Sequence, residues 1–198
     1  MNSPTALDDI LRELETFGAT NDATAPERSK RMLNITRGTG ELLAVLVQAT
    51  RAQRILEIGT SNGYSTLWLA RATAGSGSLV TTVEQSPFKV SLAAENFRRA
   101  RLTDRIAQVH ADAGGFMRAA KTDAFDFIFL DSERTEYVGW WPELRRILAP
   151  SGLLVVDNAT SHPAEVAAFV ALVQADARFC TCLAPVGNGE FMAVKARE

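Results

Sequence analysis

Five short apolar runs in the sequence end in residues that can do chemistry. The ends are Glu57-Ile58-Gly59, Glu84, His110-Ala111-Asp112, Asp131 and Asp157-Asn158. A carboxylate accepts hydrogen bonds from ligand hydroxyls, ligates a hard cation, or exchanges a proton. Asp and Asn after a strand also cap helices, which accounts for any one of these residues as readily as a ligand does. Several carboxylates at one edge are a different matter. In a crevice they repel one another unless a cation or a hydroxyl-rich ligand lies among them.

The first run leads into Glu57-Ile58-Gly59-Thr60-Ser61-Asn62-Gly63-Tyr64-Ser65. Glycines let such a loop turn tightly and let its backbone approach a ligand. The helix start that follows favours an anionic group, a carboxylate as well as a phosphate. The dinucleotide fingerprint G-x-G-x-x-G is not met, because Ser61 and Tyr64 stand at the second and third glycine positions. Glu84 ends the second run 21 residues after Gly63, where an acidic residue takes a ribose diol. A generic tight turn and a solvated strand end are the plain alternatives. Together the loop and Glu84 point to a nucleoside cofactor with a ribose, without saying which.

The elements that must position these residues follow from periodicity. Residues 54–59, 79–84, 106–110, 126–131 and 153–157 are short apolar runs separated by helical stretches, the pattern of buried parallel strands in a doubly wound α/β sheet. Ligands then belong beyond the carboxyl ends of those strands. After a helix over 164–175, runs at 179–184 and 191–195 flank Gly187-Asn188-Gly189 and predict an antiparallel hairpin. A helix is predicted over 38–49. Another opens the chain, with Ser3 as cap, Pro4 in the first turn, and Leu7, Ile10, Leu11, Leu14 and Phe17 on one face. Residues 20–29 are polar, contain Pro26, and predict a structureless tether. The first helix then packs on its own core, on a partner subunit in a homodimer, or over a site as a lid. The organisation expected is a helix and linker over 1–30 and one domain over 31–198.

Composition sets the limits. The chain has 198 residues, 46% hydrophobic and 22% charged, with net charge -2. That suits one soluble domain and disfavours a protein whose main work is neutralising phosphates on nucleic acid or a membrane surface. No apolar run approaches the ~18 residues of a membrane span, and the first residues lack a signal-peptide pattern, so a cytoplasmic location is expected. Cys180 and Cys182 would share one face of a strand and make neither a disulfide framework nor a zinc site by themselves.

The segment 56–70, from Leu56 through Gly59, Gly63, Tyr64 and Ser65 to Ala70, is similar to the first motif of the class I S-adenosylmethionine-dependent methyltransferases. It most resembles the catechol and caffeoyl-CoA O-methyltransferase branch. Phe129-Leu130-Asp131 and Val156-Asp157-Asn158 match that branch's metal-site motifs, and the likeness extends over about residues 32–194. The resemblance implies a Rossmann-like fold: a mostly parallel central sheet flanked by helices, closed by a C-terminal antiparallel hairpin. It implies that Glu57, Gly59, Thr60, Ser61, Gly63 and Ser65 line the methionine end of S-adenosylmethionine. Glu84, followed by Gln85, would hold the ribose, and Asp112 and Ala113 would sit at the adenine. Ile35 and Thr36 fall where an upstream loop meets the cofactor carboxylate, with Thr39 in place of the usual charged residue before Gly40. Asp131, Asp157 and Asn158 would bind a divalent cation, Mg²⁺ by the hardness of those ligands, Asp131 also bordering the cofactor.

The activity so implied is methyl transfer to a hydroxyl of a small, aromatic, catechol-like acceptor. A phenol with a pKa near 10 is only about 0.1% ionised at pH 7. A cation that lowers this by ~3 units contributes about 4 kcal/mol of activation. One departure stands out. The branch's usual general base is a lysine three residues after the first metal aspartate, and here that position is Arg134, which cannot accept a proton at neutral pH. Glu133 and His162 are the candidate replacements, and Arg134 is either an anchor for an anionic substrate group or a surface arginine. Trp140 and Trp141, after Tyr137, either pack in the core or wall a planar substrate. Arg98, Arg99, Arg101 and Arg105 form either a solvated helix face or a tRNA-binding patch, since some bacterial relatives of the branch methylate a wobble uridine. Two further rivals are a nicotinamide dehydrogenase, opposed by Ser61 and Tyr64, and a non-catalytic cofactor-binding module, supported by the missing lysine.

Overall fold

The structure is a computed structural model, and it describes residues 6–197. Ser3 and Pro4 lie outside them. The elements run α1 (Ala6–Thr24), α2 (Arg37–Thr50), β1 (Arg54–Ile58), α3 (Tyr64–Ala72), β2 (Leu79–Glu84), α4 (Pro87–Arg99), β3 (Ile106–His110), α5 (Ala113–Ala119), β4 (Phe125–Leu130), α6 (Tyr137–Ile147), β5 (Leu148–Val156), α7 (Pro163–Ala175), β6 (Phe179–Ala184) and β7 (Glu190–Lys195). One seven-stranded sheet has the order β3-β2-β1-β4-β5-β7-β6. Strands β1 to β5 are parallel, and β7 runs antiparallel between β5 and β6. This is the mixed α/β architecture with a closing hairpin that the sequence pattern predicts.

Two cores cover the two faces. Ile55, Val80, Phe127, Phe129 and Val155 of the sheet pack with Leu43 of α2, Leu67 and Trp68 of α3 and Phe97 of α4. Leu56, Ile128, Leu130 and Val156 point the other way, onto Met117 of α5, Leu144 of α6 and Phe169 of α7. Alternate residues of a strand serve opposite faces, so strands covered on both sides read as unbroken apolar runs. From β1 the chain proceeds outward through β2 and β3, then returns to β4 on the other side of β1. The crevice at the carboxyl ends of β1 and β4 is therefore the topological switch point, where open α/β sheets bind ligands.

Two boundaries differ from the sequence reading. Helix α1 continues to Thr24, and residues Arg28–Lys30 form a short 3-10 turn. The polar side chains that signal a loop are used to tie it down. Both Asp22 carboxylate oxygens accept backbone N–H groups, of Met32 at 2.6 Å and Leu33 at 2.7 Å, and the Asn21 amide donates to the Lys30 carbonyl. Strand β5 begins at Leu148, five residues early, with a register shift opposite Phe125 and Phe127 and a left-handed Ser151 (φ 62°). Pro150-Ser151-Gly152 reads as a break but is accommodated as a bulge. Helix α1 packs on its own chain. Leu11 and Leu14 are buried, Asp8 pairs with Arg71 at 2.6 Å, and Tyr64 donates its hydroxyl to Glu15.

The loop after β1 passes directly beneath the end of β4. Gly59 adopts φ +103°, and a Cβ there would collide with the carbonyl oxygen of Asp131. Gly59→Ala is expected to cost about 3 kcal/mol, from left-handed strain together with the collision. Gly77 has φ +72° with open space around it, so Gly77→Ala should cost only about 1 kcal/mol. Urea unfolding of the two variants checks the difference, and equal losses would show that the close approach under β4 does not exist in solution.

Candidate active site

Asp131 follows β4 and donates its backbone N–H to the carbonyl of Ile58 at the end of β1; Asp157 follows β5 and donates to the carbonyl of Leu130. These ladder-extending bonds set the two carboxylates side by side over the switch point. Asn158 sits in the left-handed region (φ 69°), which turns its side chain back on both. Its amide nitrogen lies 2.8 Å from Asp157 Oδ2 and 3.3 Å from Asp131 Oδ1. Burial is the main force raising the Asp131 and Asp157 pKa values above the usual carboxylate range. Their mutual repulsion adds to it at Asp131, and Arg134 partly offsets it at both. Asp131 keeps part of its surface accessible at the crevice, while Asp157 is fully enclosed.

Two carboxylates and an amide are a hard-oxygen donor set. Their repulsion, held out of water, is what a cation would relieve. The arrangement fits a divalent cation with one reservation of orientation. The amide end of Asn158 that faces the carboxylates is the NH₂ group, while its Oδ1 accepts from Ser161 Oγ at 3.2 Å. Ligation by Asn158 requires the amide to turn over. Among the described residues no three His, Cys, Asp or Glu side chains gather as a complete cage.

The glycine loop is built around a second acid. Glu57 is fully buried, with Oε2 accepting from Thr66 and, at 2.6 Å, from Thr82, while Oε1 has no hydrogen-bond partner. Burial pushes its pKa up to about 7. An orphaned buried carboxylate oxygen calls for a donor such as a ligand ammonium or water. Thr60 bonds Thr82 at 2.6 Å, Ser61 (φ 48°) donates its hydroxyl to the Met32 carbonyl, and Gly63 (φ 86°) opens α3 with its Cα against Phe97. Ser65 lies in the first turn of α3 and is buried. Glu84 is already partly engaged: Oε2 accepts from Ser61 N–H at 3.0 Å and Oε1 from Ser86 N–H at 2.9 Å. A carboxylate has about four acceptor positions, so Glu84 holds the loop in place and keeps capacity for a diol.

The remaining expected residues are scattered in function. Gln85 follows β2 and its carbonyl faces His110 Nε2 at 3.1 Å. Asp112 caps α5 by accepting from Gly115 N–H at 2.6 Å, and Ala113 is the first residue of that helix. The side chain of Ile35 is buried in the core, and Thr36 caps α2. Trp141 packs between Phe169 and Phe179 in the core, as one of its two expected readings has it, whereas half-buried Trp140 stands beside Tyr137 and the start of α5.

Three residues bear on the missing lysine. Arg134 is neither a surface arginine nor open to a substrate: its side chain is buried and its Nε donates to Glu165 of α7 at 2.7 Å. Glu133 is exposed and bonds only Thr135. His162 precedes α7, and its Nδ1 lies 2.9 Å from Ser161 Oγ, which in turn donates to Asn158. It is therefore three hydrogen bonds from the carboxylate pair, through Ser161 and Asn158.

Glu190 escapes the sequence reading altogether. It opens β7, is fully buried, and Oε1 accepts from Thr39 of α2 at 2.9 Å, while its carboxyl also faces that of Asp157, with which it shares a hydrogen bond. Burial first, and then the facing Asp157, push its pKa up to about 9. The Gly187-Asn188-Gly189 turn that precedes it roofs the crevice. Asn188 accepts from Thr160 and Ser161 N–H, and Gly187 packs against Thr36 and Thr39. A glutamate just after a hairpin turn reads as a solvated strand start, and only the packing of α2 against that turn buries it.

The sequence pattern of the O-methyltransferase family matches residues 3–196 of this chain. The chain is 35% identical over 119 residues to a catechol O-methyltransferase of Mycobacterium tuberculosis, covering 60% of this chain and 54% of that protein. It is 32% identical over 145 residues to one from Niastella koreensis, covering 72% and 64%. The matched part thus spans less than two thirds of each of those relatives. The crystal structure of an O-methyltransferase from Bacillus cereus in complex with SAH superposes with TM-score 0.80 at 28% identity, covering 97% of this chain and 92% of that one.

The elevated pKa values carry a pH signature. Glu57, Asp131, Asp157 and Glu190 hold protons more tightly when folded than when unfolded. Their contribution to stability is full below the unfolded carboxylate range and is lost as pH rises through the folded values, on the order of a few kcal/mol for Glu57 alone. The melting temperature of cation-free protein should therefore fall between about pH 5 and pH 9. Melting curves across that range check it, and a flat or rising profile would contradict the buried cluster.

Proposed function

The chain belongs to the O-methyltransferase family, and on that premise we propose that it transfers the methyl group of S-adenosylmethionine to a hydroxyl of a small aromatic acceptor with neighbouring hydroxyls, assisted by a divalent cation at Asp131, Asp157 and Asn158. The observation that carries this reading is the contact between the glycine loop and the first acid of the cation set: Gly59 lies against the carbonyl of Asp131. A cofactor on the loop and a cation on the acid are thereby neighbours.

Glu57, through its free oxygen, suits the ammonium of the methionine moiety, and Glu84 has acceptor capacity for the ribose. Ser65, in the first turn of α3, suits the cofactor carboxylate. Trp140, beside the start of α5, suits a planar ring near Asp112 and Ala113. When bound, the cation supplies positive charge that favours the ionised form of the acceptor hydroxyl. The chain's own contribution is to hold acceptor oxygen and sulfonium methyl in line and to keep water out, which is worth many orders of magnitude in effective concentration.

The proton of the acceptor needs a destination, and Arg134 does not provide one. Its guanidinium stays charged and is locked to Glu165, so it serves as a fixed positive charge near Asp131 and Asp157. His162 is the better placed of the two candidates, through Ser161 and Asn158, and Glu133 is turned to solvent. The RNA reading loses support from the arginine run itself, because Arg98 pairs with Glu95 and Arg99 with Glu13. No helix among the described residues is long and apolar enough to cross a membrane.

Release of S-adenosylhomocysteine from S-adenosylmethionine with a simple catechol tests the proposal. Turnover is expected with Mg²⁺ and should fall at least ~100-fold with EDTA or in Asp157→Asn. Turnover that ignores EDTA would remove the cation from the reading and keep the methyl transfer. His162→Ala is expected to lower kcat by about 10²-fold, with cofactor affinity unchanged; unchanged kcat and cation affinity would exclude His162.

A further inference from the structure

The sheet ends in β6, and β6 carries both cysteines of the chain. Cys180 and Cys182 are free thiols and both are exposed. Cysteine is among the most consistently buried residue types, so two exposed thiols on one strand are unusual. They are two residues apart on a regular strand, so their side chains leave the same face of the sheet. The pairing with β7 is unbroken over six residues and sets Cys180 opposite Val194 and Cys182 opposite Met192. Directly opposed residues of an antiparallel pair also share a face, with Cβ atoms roughly 5 Å apart. Three sulfur atoms, two thiols and one thioether, thus occupy one patch.

The patch has an open side and a closed side. Met192 is half-buried and packs against the core shared by α1, α2 and α3, while Cys180, Cys182 and Val194 stand beyond that cover. Among the described residues no carboxylate, imidazole or further thiol completes a four-ligand set there. The absence of a fourth ligand disfavours Zn²⁺, which wants a tetrahedral shell. Two thiolates and a thioether instead match the soft, low-coordinate preference of Cu(I).

We propose that Cys180, Cys182 and Met192 form a three-sulfur binding site for Cu(I) on the edge of the sheet, separate from the crevice at the carboxyl ends of the strands. Two copper–thiolate bonds form as both thiol protons leave to solvent, and the Met192 sulfur donates a lone pair as the third ligand. No electron transfer takes place, because the metal binds in its reduced state. Loss of two protons per copper makes apparent affinity rise roughly 100-fold per pH unit wherever both thiols are protonated.

The test is an anaerobic competition between the full chain and bicinchoninate for Cu(I), followed by the absorbance of the copper–bicinchoninate complex. Wild-type protein should withdraw one Cu(I) per chain, with affinity rising with pH. C180S and C182S should each abolish competition at the same ligand concentration, and Met192→Leu, close in volume, should weaken binding about tenfold. Equal withdrawal by wild type and the C180S, C182S double variant would overturn the site. So would half an equivalent of copper per chain with a doubled molecular mass, which would put the thiols of two copies around one ion. Met192→Leu binding as tightly as wild type would remove the thioether and with it the three-sulfur site. Methyl transfer enters none of these readouts.

Discussion

Three carboxyl groups, Glu57, Asp157 and Glu190, are held out of bulk water at one edge of a single sheet beside a fourth, Asp131, that keeps only part of its surface accessible, and the surrounding structure is arranged around that cost. Burying a carboxylate is expensive unless it is hydrogen-bonded, protonated or paired with a cation. Thr66 and Thr82 satisfy one oxygen of Glu57, Asn158 bridges Asp131 and Asp157, and Thr39 supports Glu190. What remains unsatisfied is an oxygen on Glu57, while the Glu190 carboxyl shares a hydrogen bond with Asp157. The fold thus carries an electrostatic cost concentrated at the crevice.

Arg134 fits the same picture. A lysine at that position would bring a mobile proton acceptor, whereas a buried arginine tied to Glu165 brings a permanent charge in a fixed place. The charge moderates the two aspartates without entering proton transfer, and the bridge ties the entry to α6 to the first turn of α7. Charge compensation at the two aspartates thus lies with Arg134. The Ser161–His162 pair reaches the two aspartates through Asn158.

The hairpin at the end of the chain does more than extend the sheet. Its turn is held by Asn188 against Thr160 and Ser161 and by Gly187 against the start of α2. Segments that are far apart in sequence, 36–39, 157–162 and 187–190, thus form one wall of the crevice. A change in any of them is felt at Asp157 through Glu190 and Asn158.

The sequence by itself determined the architecture and the edge at which the chemistry-bearing residues gather. Short apolar runs buried on both faces can be little else than parallel strands, and residues at their carboxyl ends, Glu57, Glu84, Asp131 and Asp157, converge wherever such a sheet switches direction. The loop glycines were legible because positive φ and close backbone approach demand glycine. Tertiary structure decided what depends on partners distant in sequence. The segment 20–24 is helical because Asn21 and Asp22 bond the returning chain, a fact absent from its polar composition. Arg134 is buried because α7 presents Glu165 to it. Glu190 is an interior acid because α2 closes over the hairpin. Local pattern reports which face of an element is apolar, but burial of a charged side chain depends on which other element arrives to cover and pair it, and that is set only when the whole chain packs.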